Sequence, residues 1–197
     1  MIIIIRHGQT VWNLQKKKQG HKNSKLTLKG VRQAIKIANF FNRKLKDLEQ
    51  FKIYSSPIKR VIDFTNIINK KLKKKEIKKK IIYSNLLKEH KFGKWEGKTI
   101  TEIKKLFPKE FRNRENDKWN YKIPNGESYS ILSRRIKKFL KQKIDIKKNY
   151  IIFTHEMVSK VLRGKLLKLK KKKIMKLKHN SNYIFIFDNK KIIRIKT

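Results

Sequence analysis

The chain begins MIIIIRHGQ, and no other stretch limits its fold as tightly: four consecutive isoleucines run unbroken into Arg6, His7 and Gly8. A strand with one wet face alternates apolar and polar residues. An unbroken branched run needs cover on both faces, as for a strand inside a parallel sheet flanked by helices. Ligands gather beyond the C-terminal ends of such strands. A guanidinium, an imidazole and a residue without a side chain therefore meet where the sheet reaches solvent, which suits an anion.

The pattern recurs. FKIYSS reads as a second strand, and Pro57 is expected to begin the helix IKRVIDFTNIINKKL at the position where proline is tolerated best. Residues 150–153 form another apolar strand delivering Thr154 and His155, with the helix VSKVLRGKLLKL behind it. Between the first two strands Thr27 can cap the helix LKGVRQAIKIANFFNRKL, whose apolar positions Val31, Ile35, Ala38 and Leu45 recur at helical spacing. KKLKKKEIKKK reads as a solvated helix end and loop, IIYS as a short strand, and NLLKEHKFGKWEGKT as a long functional loop. ITEIKKLF predicts a short helix, and RNRENDKWNYKIPNGE reads as polar and irregular. Glu127 and Ser128 introduce the helix YSILSRRIKKFLKQKI, while NYIFIFD and KIIRIK suggest a hairpin turning at Asp188 and Asn189. With no repeat and no linker, the expectation is one domain over residues 1–197, an α/β unit with a mixed, mostly parallel sheet between two helical layers.

Lys and Arg total 56 against 14 Asp and Glu, a formal net charge of +42. Such a surface attracts polyanions non-specifically in low salt. The excess is spread along the chain with many Ile, Asn, Phe and Tyr residues, whose codons, like those of Lys, are rich in A and T; drift in base composition explains it better than a dedicated nucleic-acid partner, which would cluster the charge. Cysteine is absent, so disulfides and thiolate metal sites are excluded and a reducing cytoplasm is expected. No basic leader precedes the isoleucines, and no apolar run nears the roughly 20 residues that span a bilayer, so no membrane partner is expected.

Four separated places converge on one chemistry: Arg6 with His7, Arg60 after Ser-Ser-Pro, Glu89 in the broken loop, and His155. Three of them follow strand ends. Two arginines, two histidines and a carboxylate describe a phosphate pocket. His21, His90 and His179 read as structural or surface residues, and Trp95 and Trp119 as loop anchors.

The segments RHGQTVWN, QGHKNSKLTLKG, YSSPIKRVIDFTNII, LLKEHKFGKWEGKT, NGESY and FTHEMVSKVLRG resemble, in order and spacing, those of the histidine phosphatase superfamily, the phosphoglycerate mutase-like proteins. The resemblance implies a three-layer α/β/α sandwich of phosphoglycerate mutase-like type. It implies that His7 is the nucleophile that becomes phosphorylated. Arg6, Arg60 and His155 would hold the phosphoryl oxygens with Asn13 as a further contact, and Glu89 would protonate the leaving oxygen. No metal or other cofactor is then needed, and the substrate is a small phosphate ester. The loop around Trp95 resembles the phosphatase branch more than the mutases. Phosphoglycerate mutase-type transfer and a non-catalytic basic nucleic-acid-binding protein on the same fold are the rivals. The physiological ester and the oligomeric state, a dimer included, stay open. Gln9, Asn23, Lys25, Phe64, Glu156 and Met157 depart from the family pattern, and Glu156 brings negative charge towards an anion pocket.

Overall fold

The computed structural model describes residues 1–45, 47–72 and 81–197. Four parallel strands form its centre: β1 (Ile2–Arg6), β2 (Phe51–Ser55), β3 (Ile81–Tyr83) and β4 (Asn149–Thr154). An antiparallel hairpin, β5 (Tyr183–Asp188) and β6 (Lys191–Lys196), extends the sheet on the β1 side, giving the order β3-β2-β4-β1-β5-β6. The isoleucine run lies between β4 and β5 and is buried on both faces.

Alternation along β1 divides the core. Ile3 and Ile5 pack with α2 (Leu28–Lys44) and α3 (Lys59–Lys71) on one face. Ile2 and Ile4 pack with α6 (Tyr129–Lys143), α7 (Glu156–Leu166) and Ile174 of α8 (Lys171–Lys176) on the other. The mixed sheet is thus the middle of three layers. Truncating one of these isoleucines to alanine would cost about 2–5 kcal/mol.

A smaller cluster, Phe92, Trp95, Ile103 and Ile123, lies over the strand ends and joins the loop after β3 to α4 (Ile100–Leu106) and α5 (Pro108–Asn116). Trp95 is fully buried in it, and Trp119 stacks on Tyr129. Both tryptophans are anchors, as expected. No helix among the described residues is long and apolar enough to cross a membrane.

Several expectations are corrected. The buried stripe of α2 is Ala34, Ile37, Ala38 and Phe41, whereas Val31, Ile35 and Leu45 are only partly buried: the two alanines let the helix approach its neighbours, which turns the larger residues to the flank. Pro57 is not the first residue of α3. The helix starts at Lys59 with Ile58 as its cap, because Ser56 Oγ accepts the Ile58 N–H and holds the Ser-Pro turn outside it. Residues 112–116, expected to be irregular, belong to the helix α5, with Pro108 at its start and Phe111 packed on the loop cluster. The short helix α8 had no counterpart in the sequence reading. The hairpin turns one residue later than expected, because Asp188 pairs with Lys191 and the left-handed conformations fall on Asn189 and Lys190. Of the charge run, Lys70 and Lys71 end α3, and residues 73–80 lie outside the described residues.

Candidate active site

β1 and β4 pair in register through Arg6 and Thr154, so the residues that follow, His7 and His155, leave the sheet side by side. Their rings meet edge to face with centroids 5.2 Å apart. The His7 backbone is fixed on two sides, its N–H donating to the Thr154 carbonyl (3.1 Å) and its carbonyl accepting from Ser181 Oγ (2.8 Å).

The His7 ring is 3% exposed. Nδ1 lies 2.7 Å from the Gly8 carbonyl, which can only accept, so the proton resides on Nδ1 and Nε2 carries the ring's lone pair. Nε2 accepts from Arg60 Nε at 3.2 Å. Burial, then the charges of Arg60 and Arg6, push the His7 pKa well below 6.5, so the ring is neutral at physiological pH. A neutral imidazole whose unprotonated Nε2 lies beside guanidinium groups can attack an anionic electrophile once the phosphoryl group takes up the Arg60 Nε–H.

Arg60, in the first turn of α3, is buried, which lowers its pKa to about 10 and leaves it charged at neutral pH. Its N–H donates to Asn23 Oδ1, Nη1 to the Lys22 carbonyl and Nη2 to the Gly20 carbonyl, the last two at 2.8 Å. Three of its five side-chain N–H donors are thereby used, and two remain for a ligand. Asn23, a departure from the family pattern, thus serves α3 directly, and Phe64, another, lies in the core.

His155 caps α7 and is fully buried. Ser56 Oγ accepts from Ile58 N and, among the described residues, has no acceptor for its own proton other than His155 Nε2 at 2.8 Å, which assigns that proton to the histidine. The other nitrogen, Nδ1, then carries the ring proton and has no partner in the protein, nor has the buried Nε of Arg6. Two unpaired donors beside His7 suit an anion. Burial, with the charge of Arg60, keeps the His155 pKa well below 6.5.

Asn13 is the third residue of the short helix α1 (Val11–Leu14), where its Oδ1 accepts from Thr10 N and Oγ1 in a capping box. That turns its amide nitrogen outward as a donor. Glu89 is 7% exposed, with Oε1 accepting from His90 N (2.9 Å) and Oε2 facing Met157 N (3.4 Å). Burial raises its pKa, against the His90 N–H and the Arg60 charge, which lower it. Arg6, His7, Asn13, Arg60 and Glu89 line one cleft of about 230 Å³, with His155 against the back of the His7 ring.

The loops around the cleft are set by residues that the sequence reading left without a role. Glu96 accepts three backbone N–H groups, from His21 (2.9 Å), Lys22 (3.1 Å) and Phe92 (3.0 Å). It therefore shapes the turn whose carbonyls hold Arg60. Gly20 has φ +55° there, and a Cβ would lie 2.0 Å from Glu96 Oε1. Arg135 pairs with Glu127 (2.9 Å) and donates to the carbonyls of Leu86 and Lys88 (2.7 Å each), fixing the loop that presents Glu89. Glu96 and Glu127 stand in quoted motifs, but nothing in their spacing says that they bind backbone. His21 donates from Nε2 to the Glu89 carbonyl, and His179, buried against Ser159 and the Tyr183 carbonyl, carries the carbonyl that accepts from Arg6, so both are structural as expected. Glu156 pairs with Arg6 (2.9 Å) and Lys160 (3.4 Å), so its charge is shared between two cations. Among the described residues no group of three or more His, Cys, Asp or Glu is placed to hold a metal ion.

Residues 2–192 match the model of the histidine phosphatase superfamily, branch 1. The chain belongs to that superfamily. As a histidine phosphatase superfamily member it is similar to fructose-2,6-bisphosphatase of Saccharomyces cerevisiae, 29% identical over 158 residues that cover 80% of this chain and 32% of that protein. It is also similar to phosphoglycerate mutase-like protein 4 of Arabidopsis thaliana, 30% identical over 125 residues, 64% of this chain and 51% of that one. The chain thus spans about a third of the first relative and half of the second. Among solved structures, the alpha-ribazole phosphatase from Shigella flexneri shares the fold with a TM-score of 0.80 at 20% identity, over 99% of this chain and 94% of that one.

Proposed function

We propose that the chain is a phosphomonoesterase that hydrolyses a small phosphorylated metabolite through a phosphohistidine on His7. The tautomer carries this reading: Nδ1–H bonded to the Gly8 carbonyl leaves Nε2 as the only nucleophilic ring atom, and that atom faces Arg60. In the first step Nε2 bonds to phosphorus while the bond to the leaving oxygen breaks, and that oxygen takes the proton of Glu89, which burial favours. In the second, Glu89 takes a proton from water, whose oxygen displaces His7 and releases phosphate. Arg6, Arg60, His155 Nδ1–H and Asn13 Nδ2 hold the phosphoryl oxygens and supply the charge stabilisation, so the reaction needs no metal. A reducing, aqueous compartment such as the cytoplasm accompanies this reading.

The test is a panel of phosphomonoesters incubated with the protein and EDTA. Phosphate release is expected. Activity that returns only on adding magnesium or zinc would contradict the mechanism. Including 3-phosphoglycerate with 2,3-bisphosphoglycerate tests transfer to a second hydroxyl, which the likeness to a phosphoglycerate mutase-like protein keeps as the second reading.

A further inference from the structure

Lys18 lines the same cleft as Arg6, His7 and Arg60, yet the single phosphoryl group already has four holders. Its backbone is pinned to the loop ahead of α4, the N–H donating to the Lys98 carbonyl (2.9 Å) and the carbonyl accepting from Gly97 (2.8 Å). The side chain is half-buried with its ammonium 5.5 Å from the centre of the Phe92 ring, and among the described residues the ammonium makes no ion pair. The surrounding charges are mostly of its own sign: Arg114, Lys160 and Lys118. Glu156, the carboxylate acting on it, already serves Arg6 and Lys160, while Glu115 pairs with Arg114 and Lys118.

Base composition does not account for this arrangement. A lysine supplied by drift stays where water solvates it, whereas Lys18 is half-buried in the cleft wall with its ammonium against the Phe92 ring. Burial, then the Arg114 charge, lowers the Lys18 pKa, as for an ammonium held short of both water and a counter-ion. We propose that Lys18 is the centre of a second anion subsite, so that the substrate carries, besides the transferred phosphoryl group, a further phosphate or carboxylate a few bonds away. This rests on the reading of the cleft as a phosphatase site, and it assigns the substrate class as bis-anionic.

Non-hydrolysable probes test it without needing turnover. Methylphosphonate has one anionic group; 3-phosphonopropionate adds a carboxylate and propane-1,3-diphosphonate a phosphonate. In calorimetry at 150 mM salt, at least one of the two-headed probes should bind the wild type about 10- to 100-fold more tightly than methylphosphonate, the worth of one charge-assisted contact. The arm that gains affinity identifies the group. Lys18→Met should abolish that ratio, and Lys137→Met, at an exposed position on α6, should leave it intact. Equal affinity for one- and two-headed probes in the wild type, a ratio that survives Lys18→Met, or equal losses for all probes in that variant would overturn the subsite while leaving the phosphatase reading in place. Failure of every phosphonate to bind would overturn both.

Discussion

The cleft is built from two kinds of support. Arg6, His7 and His155 hang from the ends of central strands, where the β1 and β4 ladder fixes the backbone to the last residue. Glu89 hangs from a loop without a ladder, and Arg60 leans on a turn; both are held by carboxylate and guanidinium groups that bond to backbone, Glu96 on one side and the Glu127–Arg135 pair on the other. The strand-end half is made rigid by burial of apolar surface, which tolerates any well-packed set of branched side chains. The loop half depends on single polar residues with no substitute.

The largest effect should therefore come from breaking the loop frame. Glu96→Ala leaves the N–H groups of His21, Lys22 and Phe92 without their acceptor, and we expect a loss of about 2–4 kcal/mol in denaturant melts. Turnover should fall about 100-fold through misplacement of Arg60, and alkyl phosphates, which need Glu89, should suffer more than aryl phosphates. Equal losses on both ester types would detach Glu96 from the loop that carries Glu89.

Ser56→Ala probes the strand-end half. It removes the proton that fixes the His155 tautomer and leaves the ladder intact, so kcat should fall about 10-fold with stability changed by about 1 kcal/mol. A fall as large as that of Glu96→Ala would erase the distinction between the two supports.

The smallest effect separates the halves by pH. Burial holds His90, in the loop, and His179 at a pKa of about 3, and keeps His7 and His155 well below 6.5. Below about pH 6.5 the unfolded chain binds protons that the folded one refuses, so stability is lost as pH falls, by about 1.4 kcal/mol per pH unit for each such ring until its folded pKa is reached. His90→Phe should remove one ring's share of this slope in urea midpoints taken between pH 7 and 5. An unchanged slope would mean that His90 does not stay neutral in the fold.

The two supports also differ in how far the sequence reveals them. IIIIRH and YIIFTH announce strand ends because burial on both faces leaves an unbroken apolar run, and the parallel centre and hairpin follow from the same periodicities. Glu89 is visible only through its motif, and Glu96 only as a letter in that motif, since a carboxylate gripping backbone N–H groups leaves no period. The helical conformation of residues 112–116 is hidden for a similar reason: the apolar contribution of their helix is Phe111, whose partner Trp95 is distant in sequence. The stripe of α2 was displaced because the choice between Ala34 with Ile37 and Val31 with Ile35 is made by what packs against the helix, not by the helix itself.

The central claim is a covalent bond to His7, and Glu89→Gln exposes it. An aryl phosphate with an acidic phenol leaves without a proton donor, so the first step proceeds while the second, deprived of its base, slows. Mixed with such an ester, Glu89→Gln should release a burst of phenol and accumulate an acid-labile, alkali-stable phosphoryl group on the peptide containing His7. An adduct on another peptide, or none although the wild type turns over, would contradict the account.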